Sequence, residues 1–201
     1  MPITTRILWI DYVKALAIAI VVLLHLGIPN PYRTIVRSFV IPLFFILSGM
    51  FSRPEKYPTW KCFLQHKTLR LLIPYGIFNV ITYLYWLLIG CRMGADASVV
   101  IAWWKPLVGA ILGLEHWMEH CKPLWFLPCL MVAEVMFYAS YRMTRNKQAW
   151  MIVLMVILFA CGVGLSWLHL PPLPYAIGGA MTMIIFYSLG YLLDRYTCGL
   201  Q

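Results

Sequence analysis

Three ionisable side chains, Asp11, Lys14 and His25, stand inside the otherwise apolar stretch Leu8–Ile28. Such groups are costly in hydrocarbon, and where they occur they face a partner or a wet cavity. On a helix turning about 100° per residue, Lys14 and His25 fall about 20° apart, and Asp11 and His25 about 40° apart. The three therefore form one stripe, about 21 Å from end to end at about 1.5 Å per residue. Two chemistries fit it. Either Asp11 and Lys14 pair near an interface while His25 caps the far end, or the stripe is a route between the membrane faces that ends at a titratable imidazole. Histidine is the side chain most easily poised as a general base near neutral pH, and a hydroxyl is a poor nucleophile until such a base takes its proton.

Other residues carry weaker signals. Ser48-Gly49 reads either as a close helix-packing point or as a hydroxyl offered to a ligand where the backbone can come near. No Gly-x-Ser-x-Gly turn surrounds Ser48, which argues against a nucleophilic serine. Lys67 and Arg70, three residues apart, are expected to share one face at a helix start. They are either topology anchors or ligands for the phosphates of a nucleotide-like molecule. Glu134 lies deep in an apolar run and must find a cation or a polar cavity. Asn79 suits a polar contact between helices. Trp125 belongs either to an interfacial aromatic belt or to a surface that stacks on a sugar. Glu115-His116-Trp117-Met118-Glu119-His120 sets two histidines four apart, expected on one helical face. It lacks the His-Glu-x-x-His order of zinc proteases, so a glycan contact or a wet outer loop is the better reading than a metal site.

The elements that position these residues follow from composition. Of 201 residues, 62% are hydrophobic and 11% charged, against about 45–50% and about 25% in soluble domains. That excludes an ordinary soluble enzyme, a disordered chain and a small disulfide scaffold. It predicts an all-α, polytopic transmembrane helical bundle. Six spans are expected: Leu8–Ile28, Thr34–Phe51, Leu69–Gly90, Pro123–Tyr141, Ala149–Leu168 and Tyr175–Leu193. A further run, Val99–Leu114, is broken early by Lys105-Pro106 and reads as a short interfacial or re-entrant segment. With no repeat and no linker, residues 1–201 read as one membrane domain. The formal charge of +9 suits loops that orient helices, and nucleic acid is not an expected partner. Arg6, Arg53, Lys56, Lys61, Lys67, Arg70, Arg142, Arg145, Lys147 and Arg195 fall on one side; Arg33, Arg37, Arg92, Lys105 and Lys122 fall on the other. This bias places both termini in the cytoplasm. Cys91 and Cys121 are expected on the outer side, where an oxidising compartment permits a disulfide.

Taken in order, the motifs resemble a known family. Lys14, ten residues and His25 come first, then Pro42-Leu43-Phe44-Phe45-Ile46-Leu47-Ser48-Gly49-Met50-Phe51. Lys67-Thr68-Leu69-Arg70 follows, leading into Leu71-Leu72-Ile73-Pro74-Tyr75, then Pro123-Leu124-Trp125-Phe126-Leu127-Pro128 and Phe186–Leu192. This series is similar to the acyltransferase 3 family of integral membrane acyltransferases, particularly its branch similar to fucose 4-O-acetylases. The resemblance implies transfer of an acyl group, commonly acetyl, from cytoplasmic acyl-CoA to a hydroxyl of a sugar or cell-surface glycan beyond a bacterial inner membrane. It implies His25 as the catalytic histidine, Lys14 as its basic partner, and Lys67 and Arg70 as the family's cationic pair for the donor. Acyl-CoA is then a co-substrate, with no tightly bound cofactor and no metal. Asp11, Ser48, Glu134 and Trp125 are the expected substrate-side residues. The family often has arginine at the positions matching Lys14 and Lys67; lysine binds phosphate as a point charge. Members commonly continue beyond the helix ending at Asp194-Arg195, so a C-terminally shortened member is expected: a fragment, a frameshifted product or a short variant that completes its cavity by association. Two rival readings stay open. One is a proton-coupled transporter or flippase-like protein using Asp11, Lys14, His25 and Glu134 as a path, although no inverted repeat supports it. The other is a truncated, inactive homologue.

Overall fold

A computed structural model describes residues 8–25, 32–93, 101–145, 147–168 and 171–198. Among these residues the secondary structure is helical, with no strand. The main helices are α1 (Leu8–His25), α2 (Tyr32–Met50), α3 (Trp60–Gly90), α4 (Trp104–Leu112), α5 (Phe126–Met143), α6 (Gln148–Trp167) and α7 (Ile177–Cys198). Five stretches among the described residues are long and apolar enough to cross a membrane: Tyr32–Met50, Trp60–Gly90, Lys122–Met143, Gln148–Trp167 and Pro174–Tyr196. The first expected span is present as the 18-residue α1, about 27 Å long against a hydrocarbon core of about 30 Å. Residues 26–28 of that span lie outside the described residues.

The outward surface is apolar, as lipid requires. Leu16, Ile18, Val22 and Leu23 of α1, Ile77, Ile81 and Leu88 of α3, and Val153, Val156 and Ile157 of α6 are all exposed. In water such side chains would drive association; in a bilayer they are solvated, while each helix satisfies its own backbone polar groups. The chain is an all-α, polytopic integral membrane protein.

Two elements differ from the sequence expectation. α3 begins at Trp60 rather than Leu69, because Thr59 caps it: its side-chain oxygen accepts from the Cys62 N–H at 3.3 Å. Its 31 residues run about 46 Å, so the polar first turns project beyond a core of about 30 Å. One π turn, Thr68–Leu72, interrupts it, and a second, Trp86–Gly90, ends it. The first precedes Pro74, whose missing N–H and bulky ring disfavour a regular α turn at that point. In α4, Pro106 lies in the first turn, where an absent N–H costs nothing. It therefore opens the helix instead of breaking the run. The helix stops after nine residues at Gly113, which takes the left-handed conformation (φ 62°) that ends helices.

The chain divides into two compact units. The first comprises Met1–Ser52 and Ile185–Gln201. Within it α1 buries Ile10, Ala17 and Leu24, each seven residues from the next. α2 and the second half of α7 cross at reciprocal glycines. A Cβ on Gly49 would fall on the Tyr187 carbonyl, and one on Gly190 would fall on the Ile46 carbonyl. Close backbone approach through small residues is how membrane helices gain packing energy. Gly190→Ala is therefore expected to destabilise the protein by about 1–3 kcal/mol through overpacking, read as a lower melting temperature in detergent.

The second unit is Arg53–Ile184. Its organising feature is a stripe on α3, Tyr75, Asn79 and Tyr83, each four residues from the next and all buried. The Tyr75 hydroxyl donates to the Ala110 carbonyl at 2.6 Å, and the Tyr83 hydroxyl donates to the Trp103 carbonyl at 3.0 Å. These bonds fasten the short α4 segment against the long helix.

Candidate functional site

In the first unit the predicted stripe lies along one unbroken helix. Asp11 and Lys14 are half-buried, and Lys14 shares its face with the buried Ile10 and Ala17. The Lys14 ammonium sits 4.0 Å from the centroid of the Phe51 ring, a cation–π distance. His25 is the last residue of α1, about 16 Å of helix rise beyond Lys14. Ser48 is half-buried in the last turn of α2, beside Gly49, whose surface is taken up by α7. The packing reading of Ser-Gly therefore holds for Gly49.

In the second unit Lys67 and Glu134 meet. The Lys67 ammonium donates to Glu134 Oε1 at 2.8 Å, with both residues buried. Glu134 Oε2 is buried too and has no hydrogen-bond partner. Arg70 is exposed, so the two cations do not share a face as the spacing suggested. Around this pair the segment before α3 is tied to α5. The Tyr138 hydroxyl donates to the Tyr57 carbonyl, and the Arg142 guanidinium donates to the Pro58 carbonyl, both at 2.8 Å. Phe63 stacks on Tyr138 with ring centroids 4.1 Å apart. The Tyr57 hydroxyl lies 2.9 Å from His66 Nδ1. Burial first, and then the nearby Glu134 carboxylate, raise the Tyr57 phenol above its usual pKa. Tyr57 therefore stays protonated, a hydrogen-bond donor at this cationic end.

At the opposite end of α5 the second unit holds a cavity of about 590 Å³. Trp125, Glu115, His116, Lys122 and Ser166 supply its aromatic and polar lining; prolines 171 and 172, Leu114 and Leu165 supply apolar walls. The volume lies within the about 300–1,000 Å³ typical of small-molecule sites. Tyr175 and Ala176 at its edge take positive φ angles of 55° and 51°, a strained pair of the kind found beside binding sites. Of the predicted residues, Trp125 lies here; Glu134 lies instead in the interior with Lys67.

His120 explains how this end is held. The segment Glu115–Trp117 is a 3-10 turn, not α-helix. His116 and His120 consequently part: one lines the cavity and the other packs against α3. Asn79 Nδ2 donates to the Tyr75 carbonyl at 2.8 Å, which turns Asn79 Oδ1 towards His120 Nε2 at 2.9 Å. An amide oxygen only accepts, so Nε2 carries the proton and Nδ1 keeps its lone pair. Nδ1 is buried without a partner. Burial holds the imidazole pKa below its usual 6.5. An unfolded His120 takes a proton as pH falls through 6.5, whereas the folded one resists, so stability is lost as pH drops from that value towards the folded pKa. The melting temperature of the purified protein is expected to fall between pH 7.5 and 5, and His120→Gln is expected to flatten part of that slope.

Tyr75 and Tyr83 carry no site signal of their own in the sequence, and His120 reads there only as half of a histidine pair in a glycan contact or wet outer loop. The four-residue recurrence of Tyr75, Asn79 and Tyr83 is the signal that points to one polar stripe. Among the described residues no group of three or more His, Cys, Asp and Glu side chains is placed to hold a metal ion. Cys91 and Cys121 are free thiols rather than a disulfide.

Neither the curated proteins nor the solved structures give a match to the chain. A family model does. The model described as an acyltransferase domain, Acyl_transf_3, matches residues 7–197. That range takes in α1 with its Lys14 and His25, the Lys67–Glu134 pair and the whole cavity-bearing end. The chain belongs to the acyltransferase 3 family of membrane acyltransferases.

Proposed function

We propose that this acyltransferase moves an acyl group, acetyl foremost, from acyl-CoA to a hydroxyl of a sugar or cell-surface glycan. Its setting is a bacterial inner membrane, with both termini cytoplasmic. The observation that carries this reading is the cavity lined by Trp125, Glu115, His116, Lys122 and Ser166. A pyranose presents an apolar C–H face and a rim of hydroxyls. The indole suits the first, and the carboxylate, imidazole, ammonium and hydroxyl suit the second. Trp125→Ala is accordingly expected to raise the acceptor KM about tenfold, the loss of roughly 1.4 kcal/mol of binding.

The donor belongs at the other end of α5, where Arg70 is exposed and its guanidinium can meet phosphate. In the transfer step His25 takes the proton of the acceptor hydroxyl, whose oxygen attacks the thioester carbonyl. The C–S bond breaks, and the CoA thiolate leaves and takes the proton from His25. Lys14 supplies positive charge on the same helix. The products are an ester and free CoA, with no redox change.

Labelled acetyl-CoA incubated with the purified protein and glycan acceptors tests the reaction. Comparing ester content by mass spectrometry, in glycan from cells with and without the protein, names the acceptor. Label that never leaves CoA, with any acceptor, overturns the reading.

A further inference from the structure

The two cations of Lys67-Thr68-Leu69-Arg70 end in different surroundings, and the turn between them supplies the reason. In an α-helix, residues three apart diverge by about 60° around the axis. In a π turn of about 4.4 residues the same three steps leave them about 115° apart. Lys67 accordingly enters the interior and Arg70 meets the outside. The ammonium of Lys67 is bonded at 2.8 Å to a carboxylate that is itself only 6% exposed. Its charge is balanced within the protein, and a phosphate would have to displace Glu134 to reach it. Arg70, three residues on, presents a forked set of donors that match phosphate oxygens.

We propose that Glu134 is a positioning residue of the donor end: it holds Lys67 in the interior and leaves Arg70 as the cation of this motif that meets the donor phosphates. The proposal rests on the acyl-CoA reading above and divides labour within it. Sequence spacing makes Lys67 and Arg70 equivalent. The buried pair and the π turn make them different. With Oε2 of Glu134 buried and unpartnered, the Lys67 ammonium is what compensates this carboxylate, so the two are bound to each other's position.

The experiment is calorimetric titration of the purified full chain with CoA and with its phosphate-free fragment pantetheine. Wild type is expected to bind CoA the more tightly, with an affinity that falls as salt rises. Arg70→Ala should weaken CoA binding about tenfold or more while leaving pantetheine binding unchanged. The apolar pair Lys67→Met with Glu134→Leu, which replaces the ion pair by side chains of similar size, should keep CoA affinity within about threefold. A folded double variant that loses CoA affinity as far as Arg70→Ala does makes Lys67 a phosphate ligand and overturns the proposal. Glu134→Gln separates positioning from packing. With its carboxylate neutralised, Lys67 adds a cation to the donor end, so CoA binding should strengthen and its salt dependence steepen. Unchanged or weaker CoA binding in Glu134→Gln counts against the positioning role, and this single variant decides the matter if the double one does not fold. Wild type that binds CoA no better than pantetheine overturns the donor reading itself, a result distinct from any of these.

Discussion

Replacing His25 by alanine is expected to lower acyl transfer by about a hundredfold to ten-thousandfold, the range that a positioned general base supplies. The expectation follows from the chemistry of the step. A sugar hydroxyl is almost wholly protonated at neutral pH, and its attack on a thioester requires that proton to leave as the C–O bond forms. His25 ends the helix that carries Asp11 and Lys14. The fall should appear in kcat rather than in the KM for acyl-CoA, because the base acts on the acceptor in the transition state. Binding of CoA to His25→Ala, measured directly, is expected to match wild type. Full transfer by His25→Ala would remove His25 from the reaction and turn attention to the half-buried Lys14 or to His120, whose Nδ1 lone pair is unpartnered.

The second large effect concerns stability. Lys67→Met strands Glu134 as an unpaired carboxylate in the interior, and removing one partner of a buried pair costs about 3–5 kcal/mol. For a protein of ordinary stability that is a large part of the total. The single variant should therefore melt well below wild type in detergent or fail to accumulate. Adding Glu134→Leu removes the stranded charge and is expected to restore most of the melting temperature, since an apolar pair of similar volume packs in the same space. If Lys67→Met alone melts like wild type, the carboxylate is reached by water or another donor and the buried pair does not hold the fold.

These residues also show how far the sequence could be read. The long apolar runs of α2, α5, α6 and α7 were legible because the bilayer sets their length and composition. Glu134 was recognisable as a charge in need of a partner. Lys67 was recognisable as a charge in need of a role. That each answers the other was not legible, since 67 residues separate them and no local pattern encodes that pairing. The start of α3 was missed because Trp60–Lys67 is too polar to read as a span, and its beginning depends on a single cap at Thr59. His116 and His120 were placed on one helical face by assuming regular α geometry. The structure makes Glu115–Trp117 a 3-10 turn, and a change in turn type redirects everything after it. Trp125 carries two readings in the sequence, a belt residue or a sugar-stacking one, and in the structure it lines the cavity.

The π turn at Thr68–Leu72 has a further consequence. A π turn is in effect one residue more than an α turn needs, so α3 is a helix with a phase shift inside it. Residues before the turn set the ion pair with Glu134; residues after it, Tyr75, Asn79 and Tyr83, set the grip on α4 and His120. Closing these same five residues into regular α geometry, at about 100° per residue against about 82° in the π turn, would rotate one half by about 90° relative to the other. Both sets of bonds could not then be made at once. The wider turn is what lets the two ends of one helix make two differently aimed sets of bonds.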